Sequence, residues 1–150
     1  MSTYELNVMA SWGDMDFNGH LANTAFLDHA VDSRLAFFAE CGFLASELAK
    51  NGIGPVVQED KIRYMREIRL HEKFRVQLRC GGLSADGARF ILCNDFYRED
   101  NVQAAALVTK GGWLDLAKRR LAVPPDALRI ALENLERTED FVELPSLTIG

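Results

Sequence analysis

Trp12-Gly13-Asp14-Met15-Asp16-Phe17-Asn18-Gly19-His20-Leu21-Ala22-Asn23 separates two kinds of hydrophobic rhythm. Before it, Tyr4, Leu6, Val8, Ala10 and Trp12 alternate with mostly polar or small neighbours, the period of a half-buried strand. After it, Leu27, Val31, Leu35 and Phe38 recur at helical spacing, with Ala30 and Phe37 widening the stripe. Between the two lie a pair of carboxylates, a glycine-containing turn and an imidazole. Asn23 or Thr24 is a short polar residue suited to cap the helix. A carboxylate facing the amide end of a helix can attack an acyl carbonyl, or direct water at it, while the amides hold the carbonyl oxygen.

Working outward, Gly42 reads as a stop or kink, and Phe43 to Lys50 as a second short helix ended by Asn51-Gly52. Strand patterning follows Pro55. Ile62, Tyr64, Ile68 and Leu70 share one phase, interrupted by Arg66, and that phase points Tyr64 to the core. Phe74, Val76, Leu78 and Cys80 alternate with Lys73, Arg75, Gln77 and Arg79. Ser84-Ala85-Asp86-Gly87 reads as a hairpin turn, Arg89 to Tyr97 as the next strand, and Glu99-Asp100-Asn101 as the next turn. Val102 to about Leu116 forms the last strand, whose Gly111-Gly112 pair predicts a bulge or a close backbone approach. Pro124-Pro125-Asp126 opens a helix with Leu128, Ala131, Leu132 and Leu135 on one face. Residues 138–150 read as a tail or a partner-contacting arm. The order is strand, long helix, four strands, helix. It predicts an α+β fold in which one antiparallel sheet wraps a central helix.

A chain of 150 residues, 48% hydrophobic, suits one domain with a real core. Its net charge of −5 disfavours nonspecific nucleic-acid binding, although Lys61, Arg63, Arg66 and Arg69 make a local basic patch. Cys41, Cys80 and Cys93 follow no zinc or disulfide spacing and read as buried thiols of a reducing cytoplasm. No basic, apolar leader opens the chain, and no apolar run approaches the ~20 residues of a membrane span. The expected compartment is the cytoplasm.

Several residues carry two readings. Asp14-x-Asp16-x-Asn18-Gly19 imitates the start of a calcium loop, but Ala25 stands where the bidentate glutamate is needed, so no metal is expected. Asp16 reads as a turn carboxylate or as a catalytic one. His20 reads as a loop brace or as a donor to a carbonyl. The crowding of Asp28, His29 and Asp32 reads as an exposed polar helix face. Tyr64 reads as core or pocket, and the basic patch as an outer strand face or a phosphate site.

The run Asp-x-Asp-x-x-Gly-His-x-x-Asn followed by a helix resembles the active-site segment of the 4-hydroxybenzoyl-CoA thioesterase-like branch of the hotdog-fold superfamily. The likeness extends from about Tyr4 to Leu135. It implies one hotdog domain over residues 1–150, with about five antiparallel strands around the long helix and an extra C-terminal helix. It implies hydrolysis of an acyl-CoA, with Asp16 as nucleophile or general base and the backbone amide of Asn23 polarising the thioester carbonyl. Asp14 would structure the turn. Gly19, His20, Tyr64 and Arg66 would contact substrate, Arg66 with its basic neighbours receiving CoA phosphates. The resemblance implies no metal and no cofactor, no nucleic-acid or membrane partner, and a homodimer or homotetramer with a sheet continuous across the two-fold axis. Where the pattern has two consecutive asparagines, this chain has Ala22-Asn23, and where a proline is common it has Glu67. Two further readings stand beside this one: an acyl-carrier-protein thioesterase, and a non-catalytic acyl-thioester or aromatic-ligand binding module on the same scaffold.

Overall fold

A helix with an apolar stripe and a set of alternating strands share one solution, in which the sheet curls around the helix. The structure, a computed structural model, describes residues 2–147. Strand β1 is Tyr4–Met9, followed by a 3-10 turn at Trp12–Asp14 and helix α1 at Asn23–Glu40. Helix α2 is Ala45–Lys50. Strands β2 to β6 are Ile53–Tyr64, Lys73–Ser84, Arg89–Arg98, Gln103–Asp115 and Arg120–Leu121. Helix α3 is Asp126–Asn134 and strand β7 is Arg137–Leu144. The sheet order is β1-β3-β4-β5-β2, antiparallel throughout, with β6 added to β5 and β7 to β3. This is the hotdog arrangement, with seven strands in place of the expected five or so.

Two of those strands are not visible in the sequence pattern. β6 is only two residues long. β7 occupies the segment that reads as a tail or arm. It pairs in parallel with the end of β3, on the edge that β1 leaves free beyond Leu78. Its sequence, Arg-Thr-Glu-Asp-Phe-Val-Glu-Leu, buries only Thr138 fully, so no clean alternation announces it. Residues 148–150 of that segment lie outside the described residues.

Helix α1 is turned from the expected stripe. It buries Phe26, Ala30, Phe37 and Phe38, together with Ser33 and Arg34, while Val31 and Leu35 stand exposed at its flank. The core has two lobes. One packs Phe37, Phe38, Leu92 and Trp113 under Leu128 and Leu132 of α3. The other, at the start of α1, gathers Leu21, Phe26, Ile68, Phe74 and Phe96. Tyr64 is a correction: β2 ends there and the residue is exposed, because the amides of Met65 and Arg66 both turn to the carbonyl of Ala104 and lead the chain off the sheet. Of the cysteines only Cys80 is fully buried. Cys41 and Cys93 are half-buried, and all three are free thiols. Burial, helped by the charge of Asp95, pushes the Cys93 thiol up to about 11. Among the described residues no helix is long and apolar enough to cross a membrane.

The glycine pair of β5 marks a close approach. A side-chain carbon on Gly111 would collide with the carbonyl oxygen of Val56 on β2, and one on Gly112 with that of Ala88. Overpacking against backbone that cannot swing away costs about 1–3 kcal/mol. Gly111→Ala is therefore expected to lower the unfolding free energy from urea titration by that margin, and an unchanged value would remove the close approach as the reason for this glycine.

Candidate active site

The segment between β1 and α1 folds as a small clamped hairpin. Met15 and Leu21 form an antiparallel bridge, and the amide of Asp16 donates to the carbonyl of His20 at 2.7 Å. Gly19 turns the tip with φ +74°, a conformation that a Cβ would strain. Buried Leu21 anchors the returning arm, its amide donating to the Ile68 carbonyl at 2.6 Å. The hairpin is tied to the helix start as well, since the Ala22 amide donates to the Asp14 carbonyl at 2.8 Å.

Asp16 satisfies both of its readings at once. Its Oδ1 accepts the amides of Asn18 at 2.8 Å and His20 at 3.0 Å, which makes it the turn carboxylate. Among the described residues Oδ2 makes no bond. The His20 amide above all, then the Asn18 amide and the charge of His20, hold the Asp16 carboxyl below its ordinary range despite some desolvation. At neutral pH it is an anion, suited to attack or to accept a proton and unsuited to act as an acid.

Opposite it lies the start of α1. Ala22 is the N-cap, and no side chain caps the helix, so the expected cap at Asn23 or Thr24 is not made. Asn23 is the first helical residue. The first intrahelical bonds reach Ala22 from Ala25 and Phe26, which leaves the amides of Asn23 and Thr24 without an intrahelical acceptor at the positive end of the helix. Tyr64 reaches over from β2, its hydroxyl donating to the Asn23 carbonyl at 3.2 Å.

An open cleft of about 340 Å³ joins these groups, lined by Asp16, His20, Asn23, Phe26, Tyr64 and Arg66, with Leu21, Met65 and Glu67. The structure thus brings together all the expected site residues except Gly19, which shapes the turn. His20 lines the cleft, and its backbone braces the loop. Of the basic patch only Arg66 lines the cleft. Lys61 and Arg63 alternate with Ile62 and Tyr64 and so take the other face of β2, and Arg69 pairs with Glu67 at 3.5 Å.

His29 departs from the exposed polar face expected of it. Asp28 and Asp32 are exposed, but His29 turns inward against the ring of Phe74, and its Nε2 donates to Asp14 Oδ2 at 2.9 Å. The same oxygen accepts from the Ser11 hydroxyl at 3.1 Å. Asp14 therefore structures the loop chiefly through its side-chain partners His29 and Ser11. Nothing in the local spacing signals a bond between a loop and the second turn of the following helix. That contact exists only once Phe74 and the sheet press His29 toward the loop.

The sequence model of the thioesterase-like superfamily matches residues 10–132, which hold the loop, α1 and most of the sheet. The chain belongs to the thioesterase-like superfamily. Solved structures agree on the superfamily's fold. A Staphylococcus aureus protein characterised in complex with CoA superposes with a TM-score of 0.81 at 17% identity, over 99% of this chain and 90% of that one. A 1,4-dihydroxy-2-naphthoyl-CoA thioesterase from Synechocystis gives 0.80 at 16% identity, over 89% and 98%. A DHNA-CoA thioesterase from Staphylococcus aureus gives 0.74 at 18% identity, over 82% and 81%.

Asp14 makes the loop sensitive to acid. Burial raises its pKa, but the bond and charge of His29 and the Ser11 hydroxyl outweigh it, and the carboxyl ends below its ordinary value. A depressed carboxylate contributes stability that is full above the unfolded-state pKa of about 3.9 and is lost as pH falls through the folded value. The native chain is expected to be more stable than Asp14→Asn above that range, and the gap to close as pH falls below it. Urea titrations of both proteins over this window check it; a gap that persists at the acid end would contradict the bond to His29.

Proposed function

We propose that this member of the thioesterase-like superfamily is a cytoplasmic enzyme that hydrolyses an acyl-CoA thioester to the free acid and CoA. One observation carries the reading: an ionised carboxylate with one unengaged oxygen and the uncapped amides of a helix start open into the same cleft. Asp16 acts on the thioester carbon, either as nucleophile to give a mixed anhydride that water then cleaves, or as general base for that water. The carbonyl oxygen, gaining negative charge, is received by the Asn23 amide at the positive end of α1. A thiolate leaves readily, so no strong acid is required and the depressed pKa of Asp16 is no obstacle. His20 and Tyr64 border the acyl carbonyl, and Arg66 takes part in holding the CoA moiety, as a forked donor suits phosphate. The naming of structural neighbours as CoA thioesterases supports the class of substrate.

The same reading extends to assembly. β2 ends the sheet path, so its outer edge is unpaired among the described residues, and exposed Val31, Leu35 and Val57 lie beside it. Open edges of this length favour a second strand. We take the chain to form a homodimer in which the β2 edges of two copies pair.

Two substitutions test the chemistry through thiol release from short, medium, long and aromatic acyl-CoAs. Asp16→Asn is expected to cut kcat by about 10²–10⁴ without unfolding the protein; undiminished turnover would take the chemistry away from this residue. Asn23→Pro is sharper. Proline is favoured at the first position of a helix, and Ala22 already has the extended backbone that proline demands of its predecessor (φ −63°, ψ 149°). The variant should therefore fold and lose only an amide hydrogen, with a fall of about 10²–10³ in kcat. Asn23→Ala, which keeps the amide, should retain most of the activity. Equal rates in the two variants would reject the amide as oxyanion donor.

A further inference from the structure

The hairpin arm from Asp14 to Asp16 receives a side-chain hydrogen bond from outside the loop at one place among the described residues, the bond from His29 to Asp14. The other side-chain bonds of the arm are local. Asp14 accepts from Ser11, three residues back, and Asp16 accepts amides of its own turn. Met15 packs on the core lobe beneath, but Trp12 and Phe17, at either end of the arm, stand in solvent and hold nothing.

His29 is itself well fixed. Its side chain is only 14% exposed, and its ring lies edge-on to that of Phe74, with centroids 5.3 Å apart. Phe74 is buried on β3. A carboxylate can only accept, so the 2.9 Å contact with Asp14 Oδ2 is a donation from Nε2–H. The neutral ring with its proton on Nε2 and the imidazolium both carry that hydrogen, so the bond needs no particular charge on the ring.

The anchor reaches Asp16 through one residue. Met15 is extended (φ −82°, ψ 145°) and bridged to Leu21, so the backbone passes a displacement of Asp14 on to Asp16. Asn23 belongs to the same helix as His29, six residues earlier. One rigid element thus carries both the amide offered to the carbonyl oxygen and the donor that holds the carboxylate arm. His29 is not among the residues that line the cleft.

We propose that His29 is a positioning residue for the hydrolysis, a post on α1 that holds Asp16, through Asp14, at its working distance from the Asn23 amide. This rests on the hydrolase reading above. A displacement of about 1 Å between reacting groups costs about 10²-fold in rate, so a residue that touches no substrate can still govern kcat.

The test uses two variants with the acyl-CoA that the native protein turns over fastest. His29→Phe keeps a ring against Phe74 and loses the donor. His29→Gln keeps an amide N–H as many bonds from the backbone as Nε2. The expected result is a kcat about tenfold to hundredfold lower in His29→Phe at unchanged KM, largely recovered in His29→Gln. The double variant with Asp14→Ala should be no slower than the slower single one, because both remove one bond. A native kcat in His29→Phe, or an equal loss in His29→Gln, would overturn the proposal and reduce the ring to packing. Should His29→Phe fail to fold, Asp14→Ala removes the same bond from the loop side, and an undiminished kcat there would overturn it as well. Hydrogen exchange separates this proposal from the hydrolase reading. The amides of Asp16 and Ala22 are expected to lose protection in His29→Phe and regain it in His29→Gln. That pattern without turnover by the native protein would reject hydrolysis and keep His29 as the post. Turnover with protection and kcat unchanged in His29→Phe would do the reverse.

Discussion

Everything at this site hangs on how Asp14 fastens a loop to a helix. Its carbonyl takes the Ala22 amide at the helix start, and its carboxylate takes His29 in the second turn. Two attachments on one residue fix both the position and the angle of the loop relative to α1. Asp16, two residues later, then has no freedom to swing away from the helix amides. The loop is held at its other arm by Leu21 and Ile68, whose side chains belong to the core lobe beneath it. Preorganisation of this kind matters because an error of an ångström between a reacting group and an oxyanion donor is enough to lose most of the rate.

The electrostatics follow from the same geometry. Asp16 spends one oxygen on two amides of its own turn, and its other oxygen has no partner among the described residues. Those amides hold it ionised, which favours nucleophile or base and disfavours acid. Across the cleft the helix start is left uncapped. Ala22 stands where a side-chain cap would otherwise compete for the first amides. A residue that bonded them would strengthen the helix by about 1 kcal/mol and occupy the amides that the proposed mechanism offers to a carbonyl oxygen.

Much of the fold is legible in the residue pattern. The period change at the loop marks β1 and α1, clean alternation marks β3, and the turn residues Ser84 to Gly87 mark where β4 begins. The double proline opens α3, and the paired glycines announce a close backbone approach that Val56 and Ala88 account for. Asp16, His20 and Asn23 are legible because they lie in one short run, whereas Tyr64 and Arg66 join them from β2 and the turn after it. What the pattern hides depends on contacts between distant segments. Tyr64 has a core-facing phase only if the strand continues, and it stops there because Ala104 captures the next two amides. β7 has no visible period because most of its residues face solvent. His29 and Arg34 look like ordinary polar residues on a helix face, and only the curl of the sheet turns both inward. The rotation that buries Arg34 also exposes Val31 and Leu35, which an apolar stripe alone places inside.

The most direct test of this chemistry is a crystal structure of the Asp16→Asn protein with a CoA ketone analogue, in which a methylene replaces the scissile link and blocks hydrolysis. The ketone oxygen is expected at about 2.7–3.1 Å from the Asn23 amide nitrogen, with the carbonyl carbon facing residue 16. A ketone bound elsewhere in the cleft, with the Asn23 amide pointing at water, would contradict it.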